Sequence, residues 1–249
     1  MIKGIYNTAA SMVPRERLQE VIANNLANSE TAGFKKDSIF LRMVKDETKL
    51  NPKLSQLRPL TPSWETRMID KIYTDYTEGS LDSTGRDLDI AIQGDGFFAV
   101  ETPNGEAYTR NGALTVSPQG VLVNADNYPI LTDSGPLTVT GRSVSIGAGG
   151  QVSVDGQNVG TLRVVDFEKP YDLRKVNGTL YIAPKGITPN PATNVAVRQG
   201  YLEKSNVDVL REMVDMIDSY RAFEMGQKMI QIQDESLGKA VNDLGKAKV

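Results

Sequence analysis

Towards the end of the chain, apolar residues fall mostly at three- and four-residue steps: Val207, Leu210, Met213, Ile217 and Tyr220, then Ile230, Leu237, Val241 and Leu244. An α-helix places such positions on one face, so the spacing predicts a helix from Ser205 to about Leu244. Ser205 and Asp208 have the spacing of a capping box. Lys239, Lys246 and Lys248 sit at the opposite end, where cations complement the helix dipole. At 1.5 Å per residue this helix is roughly 55–60 Å long, more than a compact domain of this size needs, so much of its stripe calls for a partner. Glu224, Gln227 and Asp234 interrupt the stripe, and Met213, Met216, Met225 and Met229 line or flank it. Polar seam positions fix register, and methionines repack against varied neighbours.

A second, weaker stripe opens the chain: Ile2, Ile5, Ala9 and Met12, then Val21, Ile22 and Leu26. Pro14 interrupts it, which predicts a kink or a fresh helix start near Val13–Pro14. The helix is expected to finish around Asn25–Asn28, with Gly33 just beyond. Asn24, Asn25 and Asn28 are weak helix formers that supply donors and acceptors at a tight chain reversal. The local reading is a helix cap and turn; the functional reading adds a docking element for the next subunit.

From Asp37 to about Leu81 the pattern is mixed. Leu41, Val44 and Leu50 fit a short helix, and Pro52, Pro59 and Pro62 make Asn51–Ser63 an irregular connection, next to Trp64, the sole tryptophan. Alternation from Met68 to Thr77 predicts a strand. Between Gly79 and Tyr201 short apolar segments (88–92, 97–100, 113–116, 121–123, 137–139, 144–146, 152–154, 161–167, 180–182 and 195–197) alternate with turn dipeptides such as Asn104-Gly105, Asp155-Gly156 and Asn177-Gly178. That rhythm predicts a β sandwich or barrel built from hairpins. The expected fold class is α+β: long N- and C-terminal helices packed as a coiled-coil-like pair, with an inserted all-β domain. The expected divisions are 1–36 (helix and turn), 37–80 (irregular or extended), 81–203 (all-β) and 204–249 (helix).

Composition narrows the chemistry. The chain has 249 residues, 39% hydrophobic and 24% charged, with a net charge of −3, as expected of a soluble protein with one large or two smaller cores. Scattered basic residues and few aromatics give no nucleic-acid footprint. Cysteine and histidine are both absent, which excludes thiolate and imidazole nucleophiles, bases and metal ligands. A cysteine-free chain suits a place outside the cytoplasm. No apolar run approaches the ~18 residues of a membrane span, so the protein is not expected to be membrane-embedded. The opening Met1–Tyr6 lacks the h-region of a cleaved signal, so any export is expected to use another route.

Gly94-Asp95-Gly96-Phe97-Phe98 resembles a phosphate loop only superficially, because a strand and not a helix follows it. Asp87 and Asp89 could be imagined as a glycosidase pair, but alternation along Leu88, Ile90 and Ile92 predicts that they are solvated. A wall-binding β module would want a row of exposed aromatics, and the aromatics are instead spread along the chain. No cofactor and no small-molecule substrate is expected.

Four strings carry a resemblance. Ile22-Ala23-Asn24-Asn25-Leu26-Ala27-Asn28 with Thr31-Ala32-Gly33-Phe34-Lys35, Leu88–Phe98, Tyr108-Thr109-Arg110-Asn111-Gly112, and Gly200–Val207 leading to Tyr220-Arg221-Ala222-Phe223-Glu224 resemble, in order, the bacterial flagellar rod and hook proteins. The run Tyr73–Leu81 looks more like the proximal-rod members than the distal-rod members, the distal-rod or hook-basal-body paralogue being the alternative. The resemblance implies a structural, non-enzymatic subunit of the flagellar basal-body rod, exported unfolded by the flagellar type III apparatus and polymerised in the periplasm with copies of itself and other rod proteins. The expected assembly interface comprises Ile5, Ala9, Met12, Ile22, Asn24, Asn25, Leu26, Asn28, Gly33, Phe34, Leu210, Met213, Ile217, Tyr220, Phe223, Ile230, Leu237 and Val241.

Overall fold

A computed structural model describes residues 2–45, 65–141 and 143–246. Helix α1 spans Ile2–Ala27, and α2 spans Val209–Lys246. Between them lie β1 (Asp37–Lys45), β2 (Glu65–Thr74), β3 (Leu81–Ser83), β4 (Ile90–Gln93), β5 (Phe97–Thr102), β6 (Gly105–Thr109), β7 (Thr115–Val116), β8 (Leu122–Val123), β9 (Leu131–Thr132) and β10 (Gly135–Pro136). These continue as β11 (Val144–Ile146), β12 (Gln151–Val154), β13 (Gln157–Thr161), β14 (Val164–Asp166), β15 (Arg174–Asn177), β16 (Leu180–Ile182), β17 (Asn190–Pro191), β18 (Ala196–Gln199) and β19 (Tyr201–Glu203). The chain forms two compact units. A helical unit takes Met1–Ala27, Asp37–Thr74 and Asp208–Val249, and a β unit takes Asn28–Lys36 and Asp75–Val207.

The expected pair of long, coiled-coil-like helices is not what forms. The described chain has two unequal helices, α1 of 26 residues and α2 of 38, and a mostly β middle. At 1.5 Å per residue α1 is shorter by roughly 18 Å, so it can flank only part of α2. A third element joins them: the antiparallel pair β1/β2, with Asp37 opposite Thr74, also packs on α1. The helical unit is therefore a small α/β assembly, and only the α+β part of the expectation stands.

Leu41 and Val44 lie in strand β1 and not in a helix, because the hairpin partner supplies their backbone with hydrogen bonds. Leu50, the irregular 51–63 connection and Trp64 lie outside the described residues. Pro14 sits inside α1, which is assigned as one helix. The N-cap of α2 is Asp208 and not Ser205: its Oδ1 accepts from the N–H of Arg211 at 3.2 Å, satisfying a donor that the first helical turn leaves open.

In the β unit, six strands form a sheet in the order β15-β16-β6-β5-β14-β17. The run Phe97-Phe98-Ala99-Val100 is apolar throughout because both faces of β5 are covered. Phe98 and Val100 join an aliphatic core with Ile90, Ile92, Leu114, Leu122 and Ile130. Phe97 and Ala99 join an aromatic one with Tyr108, Phe167 and Tyr181, whose rings meet largely edge to face, as with Tyr108 and Phe167 at 4.8 Å. The late strands close on the early ones: β18 pairs with β4, and β19 with β3.

Candidate functional site

The four sequence strings come together in two clusters, one in each unit. In the helical unit the centre is Asn25, near the end of α1. Its amide donates to the Asp37 carbonyl at 2.8 Å and to Glu212 Oε2 at 3.2 Å, and its Oδ1 accepts from the Asp37 N–H at 2.9 Å. Thr74 Oγ1 donates to the Asp37 carboxylate at 2.7 Å. One buried asparagine thus ties α1, the start of β1 and the first turn of α2, which explains why a weak helix former stands there.

Along α2 the covered positions are Glu212, Met216, Ser219, Ala222, Phe223, Gly226, Ile230, Gln233, Leu237 and Ala240, mostly in three- and four-residue steps. Contacts reverse in order along the two helices: Asn25 meets Glu212, the Ser219 hydroxyl donates to the Arg15 carbonyl at 3.5 Å, and Gly226 lies against Met12. The helices therefore run antiparallel. A Cβ at position 226 would stand 3.2 Å from Met12 Cγ, so glycine there permits the close approach.

About half a turn away, α2 carries a second apolar stripe that no described residue of the helical unit covers. Leu210 is 78% exposed, Val214 57%, Ile217 50% and Tyr220 57%, and Met213, Met225, Met229 and Ile232 continue the exposed apolar surface. A helix with an apolar face on the side away from its packed neighbour is suited to lie between two layers. Phe40 and Tyr73 of the hairpin are likewise exposed.

In the β unit the centre is Glu203, whose side chain is inaccessible to solvent. Lys35 Nζ donates to its Oε1 at 2.5 Å and to the Thr77 carbonyl at 2.6 Å, Arg110 donates to Oε2 at 3.2 Å, and the Gly79 N–H donates to Oε1 at 2.9 Å. Burial pushes the Lys35 ammonium below the usual lysine value, opposed by the adjacent carboxylate. Beside this cluster the Gly33 N–H donates to the Glu203 carbonyl at 2.7 Å, and Lys175 Nζ lies 3.8 Å from the centre of the Phe34 ring. Asn206 accepts from the Lys36 N–H and donates to the Asp75 carbonyl, each at 2.8 Å.

Of the residues singled out from sequence, Ile22, Asn25, Gly33 and Phe34 are buried inside their own units, while Met12, Leu26, Asn28, Phe223, Ile230 and Leu237 are half-buried. Ala9, Asn24, Leu210, Met213, Ile217, Tyr220 and Val241 are exposed. Ile5 belongs to α1, its side chain lying outside the described ones. Against the expectation that Asp87 and Asp89 are both solvated, Asp89 is buried, 3.7 Å from Arg86, while Asp87 is exposed. Sequence reasoning missed the Lys35–Glu203–Arg110 cluster, although each of three motif strings contributes one of its charges. Among the described residues no group of three acidic, His or Cys side chains is arranged to hold a metal, and no helix is long and apolar enough to cross a membrane.

Comparison with known proteins gives three family matches: flagellar basal body rod FlgEFG protein C-terminal over residues 198–244, flagellar hook protein FlgE/F/G D1 domain over 91–154, and flagella basal body rod protein over 15–35. The flagellar basal-body rod protein FlgF of Caulobacter vibrioides is 32% identical over 249 residues, covering 99% of each chain. FlgF of Escherichia coli is 34% identical over 96% of this chain and 97% of its own. FlgG of Bacillus subtilis is 31% identical over 97% and 99%.

Proposed function

The chain belongs to the flagellar basal-body rod protein family, and from that premise we propose that it polymerises through its helical unit. It is a FlgF-like structural subunit of the basal-body rod, and its place is the flagellar basal body with other rod and hook proteins. The supporting observation is the uncovered stripe of α2. Leu210, Val214 and Ile217 would each gain roughly 1–2 kcal/mol on burial, sums that a folded monomer leaves unused. A heterologous contact whose rotation does not close generates an open helical polymer, the geometry of a shaft. The β unit, whose late strands β18 and β19 pair with its early ones, has no role in the polymer contact in this reading.

The route to the periplasm in this reading is the flagellar type III export apparatus, through which the chain passes unfolded. The reading assigns no reaction chemistry to the chain, and a turbidity assay on peptidoglycan that showed clearing would overturn that part. For assembly itself, the test is sedimentation and negative-stain microscopy of the full chain, wild type against Ile217→Asp. The wild type should form rods or higher oligomers and the variant remain a folded monomer; equal assembly by both would remove α2 from the interface.

A further inference from the structure

Two stretches far apart in the chain, 33–36 and 200–206, meet in the β unit. The Gly33 N–H donates to the Glu203 carbonyl at 2.7 Å, and Lys35 Nζ donates to Glu203 Oε1 across 168 residues of chain. The Lys36 N–H donates to Asn206 Oδ1 across 170 residues, and Arg110 reaches Glu203 across 93. On the strand side β19 pairs with β3, setting Glu203 opposite Leu81, and the Lys204 N–H donates to the Ser80 carbonyl at 2.8 Å. Neither hydrophobic core of the β unit draws on these stretches: the residues of both lie between Tyr76 and Val197.

We infer that 33–36 and 200–206 form a clasp that closes last in folding, after the β5/β6 hairpin and the cores around it, and that holds the finished β unit shut without helping it to form. Chain entropy favours this order. The turn of the β5/β6 hairpin closes over three residues, from Thr102 to Gly105, whereas the clasp must bring together groups up to 170 residues apart. Charge enforces it. Lys35 and Glu203 are inaccessible to solvent and Arg110 nearly so. Docking 33–36 before Glu203 arrives would bury the Lys35 ammonium beside the Arg110 guanidinium with no anion between them, which is strongly unfavourable. Lys35 therefore stays in water until Glu203 is in place, and the cluster forms as one late step. Asn206 adds the last ties, donating to the Asp75 carbonyl at 2.8 Å and to the Thr77 hydroxyl at 3.0 Å.

Resting on the export reading above, the clasp also controls when the β unit can lock. While the chain is in transit the two stretches lie on opposite sides of the export channel, whichever end leads. A β unit emerging piecemeal therefore stays open until both stretches are through. Once made, contacts absent from the folding transition state act by slowing unfolding.

Stopped-flow folding and unfolding of the full chain in urea, followed by tyrosine fluorescence, reads the order of closure. Glu203→Gln should speed unfolding by about a hundredfold or more and leave the folding rate within about threefold of wild type. Asn206→Ala is a milder change that keeps all three charges and decides the matter if Glu203→Gln does not fold. It should speed unfolding by about tenfold, with folding again within about threefold. Val100→Ala, in the aliphatic core and outside the clasp, should slow folding by about threefold or more. A clasp variant whose folding slows as much as its unfolding quickens places the cluster in the folding nucleus and overturns the inference. Unfolding rates unchanged in both clasp variants, or a folding rate unchanged in Val100→Ala, overturn it as well. These rates are read on the isolated chain, so their failure strikes the clasp alone, whereas wild-type chain retained in the cytoplasm of fractionated flagellated cells strikes the export reading.

Discussion

Asn25 holds Asp37 by both of its backbone groups, accepting from the N–H at 2.9 Å and donating to the carbonyl at 2.8 Å. A side-chain amide so placed imitates a second neighbouring strand for Asp37, whose partner in β2 is Thr74. Asn25→Leu keeps the volume and leaves these buried groups without partners. The helical unit should lose about 2–4 kcal/mol, read from urea denaturation followed by far-UV circular dichroism. Asn25→Asp adds a carboxylate beside Glu212, so it should be better tolerated near about pH 4 than near about pH 7.

Glu203 compensates two buried cations at once, Lys35 and Arg110. Glu203→Gln leaves both without a counter-charge and should cost the β unit about 3–5 kcal/mol, visible as a lower urea midpoint in tyrosine fluorescence. An unchanged midpoint would show that the cluster adds nothing to stability.

Gly33 has φ +67°, and a Cβ there would stand 2.4 Å from the carbonyl carbon of Arg110 and the amide nitrogen of Asn111. Both are backbone atoms, so no rotamer change relieves the overlap. Gly33→Ala should destabilise the β unit by at least about 2 kcal/mol, with the loss of protection centred on residues 33–36 and 110–112 in hydrogen exchange.

Where the chain is cut should matter sharply. Removing residues 219–249 deletes most of α2 and leaves every strand of the β unit intact, so the product should be soluble and retain its β signal while failing to enter polymers. Removing residues 203–249 takes Glu203 and Asn206 as well, and that product should lose cooperative unfolding.

Tyr108 is pushed up to about 12, chiefly by burial and then by the neighbouring Glu106 carboxylate. Its ordinary value applies in the unfolded chain, so its contribution is fully present below pH 10 and is lost as pH rises from 10 to about 12. Lys35 acts in the opposite sense: with its value lowered when folded, its contribution to stability rises with pH up to 10.5. Tyr108→Phe should flatten the alkaline loss, as followed by tyrosinate absorbance and unfolding midpoints in parallel.

Periodicity made both helices legible, and glycine turns made the β region legible, because local spacing alone determines which face of an element is apolar. Val144–Ile146 and Leu180–Ile182 were read at their observed limits for that reason. Strands such as Gln157–Thr161 and Arg174–Asn177 give no alternation to read, because each is an exposed edge with a single large apolar residue, Val159 or Val176. The α2 stripe was visible, but which of its sides meets α1 was not. Leu210, Met213, Ile217 and Tyr220 are the stripe that spacing predicts, and the side that meets α1 is that of Glu212, Ser219 and Gly226, because Asn25, Arg15 and Met12 stand opposite them. Asn25, Gly33 and Phe34 drew attention as docking residues and are held within their own units. Motif spacing records that a position is constrained and does not say whether the constraint lies inside the subunit or beyond it.

The most direct measurement is amide hydrogen exchange of the full chain, compared between free subunit and assembled polymer. Residues 209–232 of α2 should gain protection on assembly while strands β4, β5 and β6 of the β unit keep their monomer rates. Gained protection confined to the β unit, with α2 exchanging as in the free subunit, would contradict polymerisation through the helical unit.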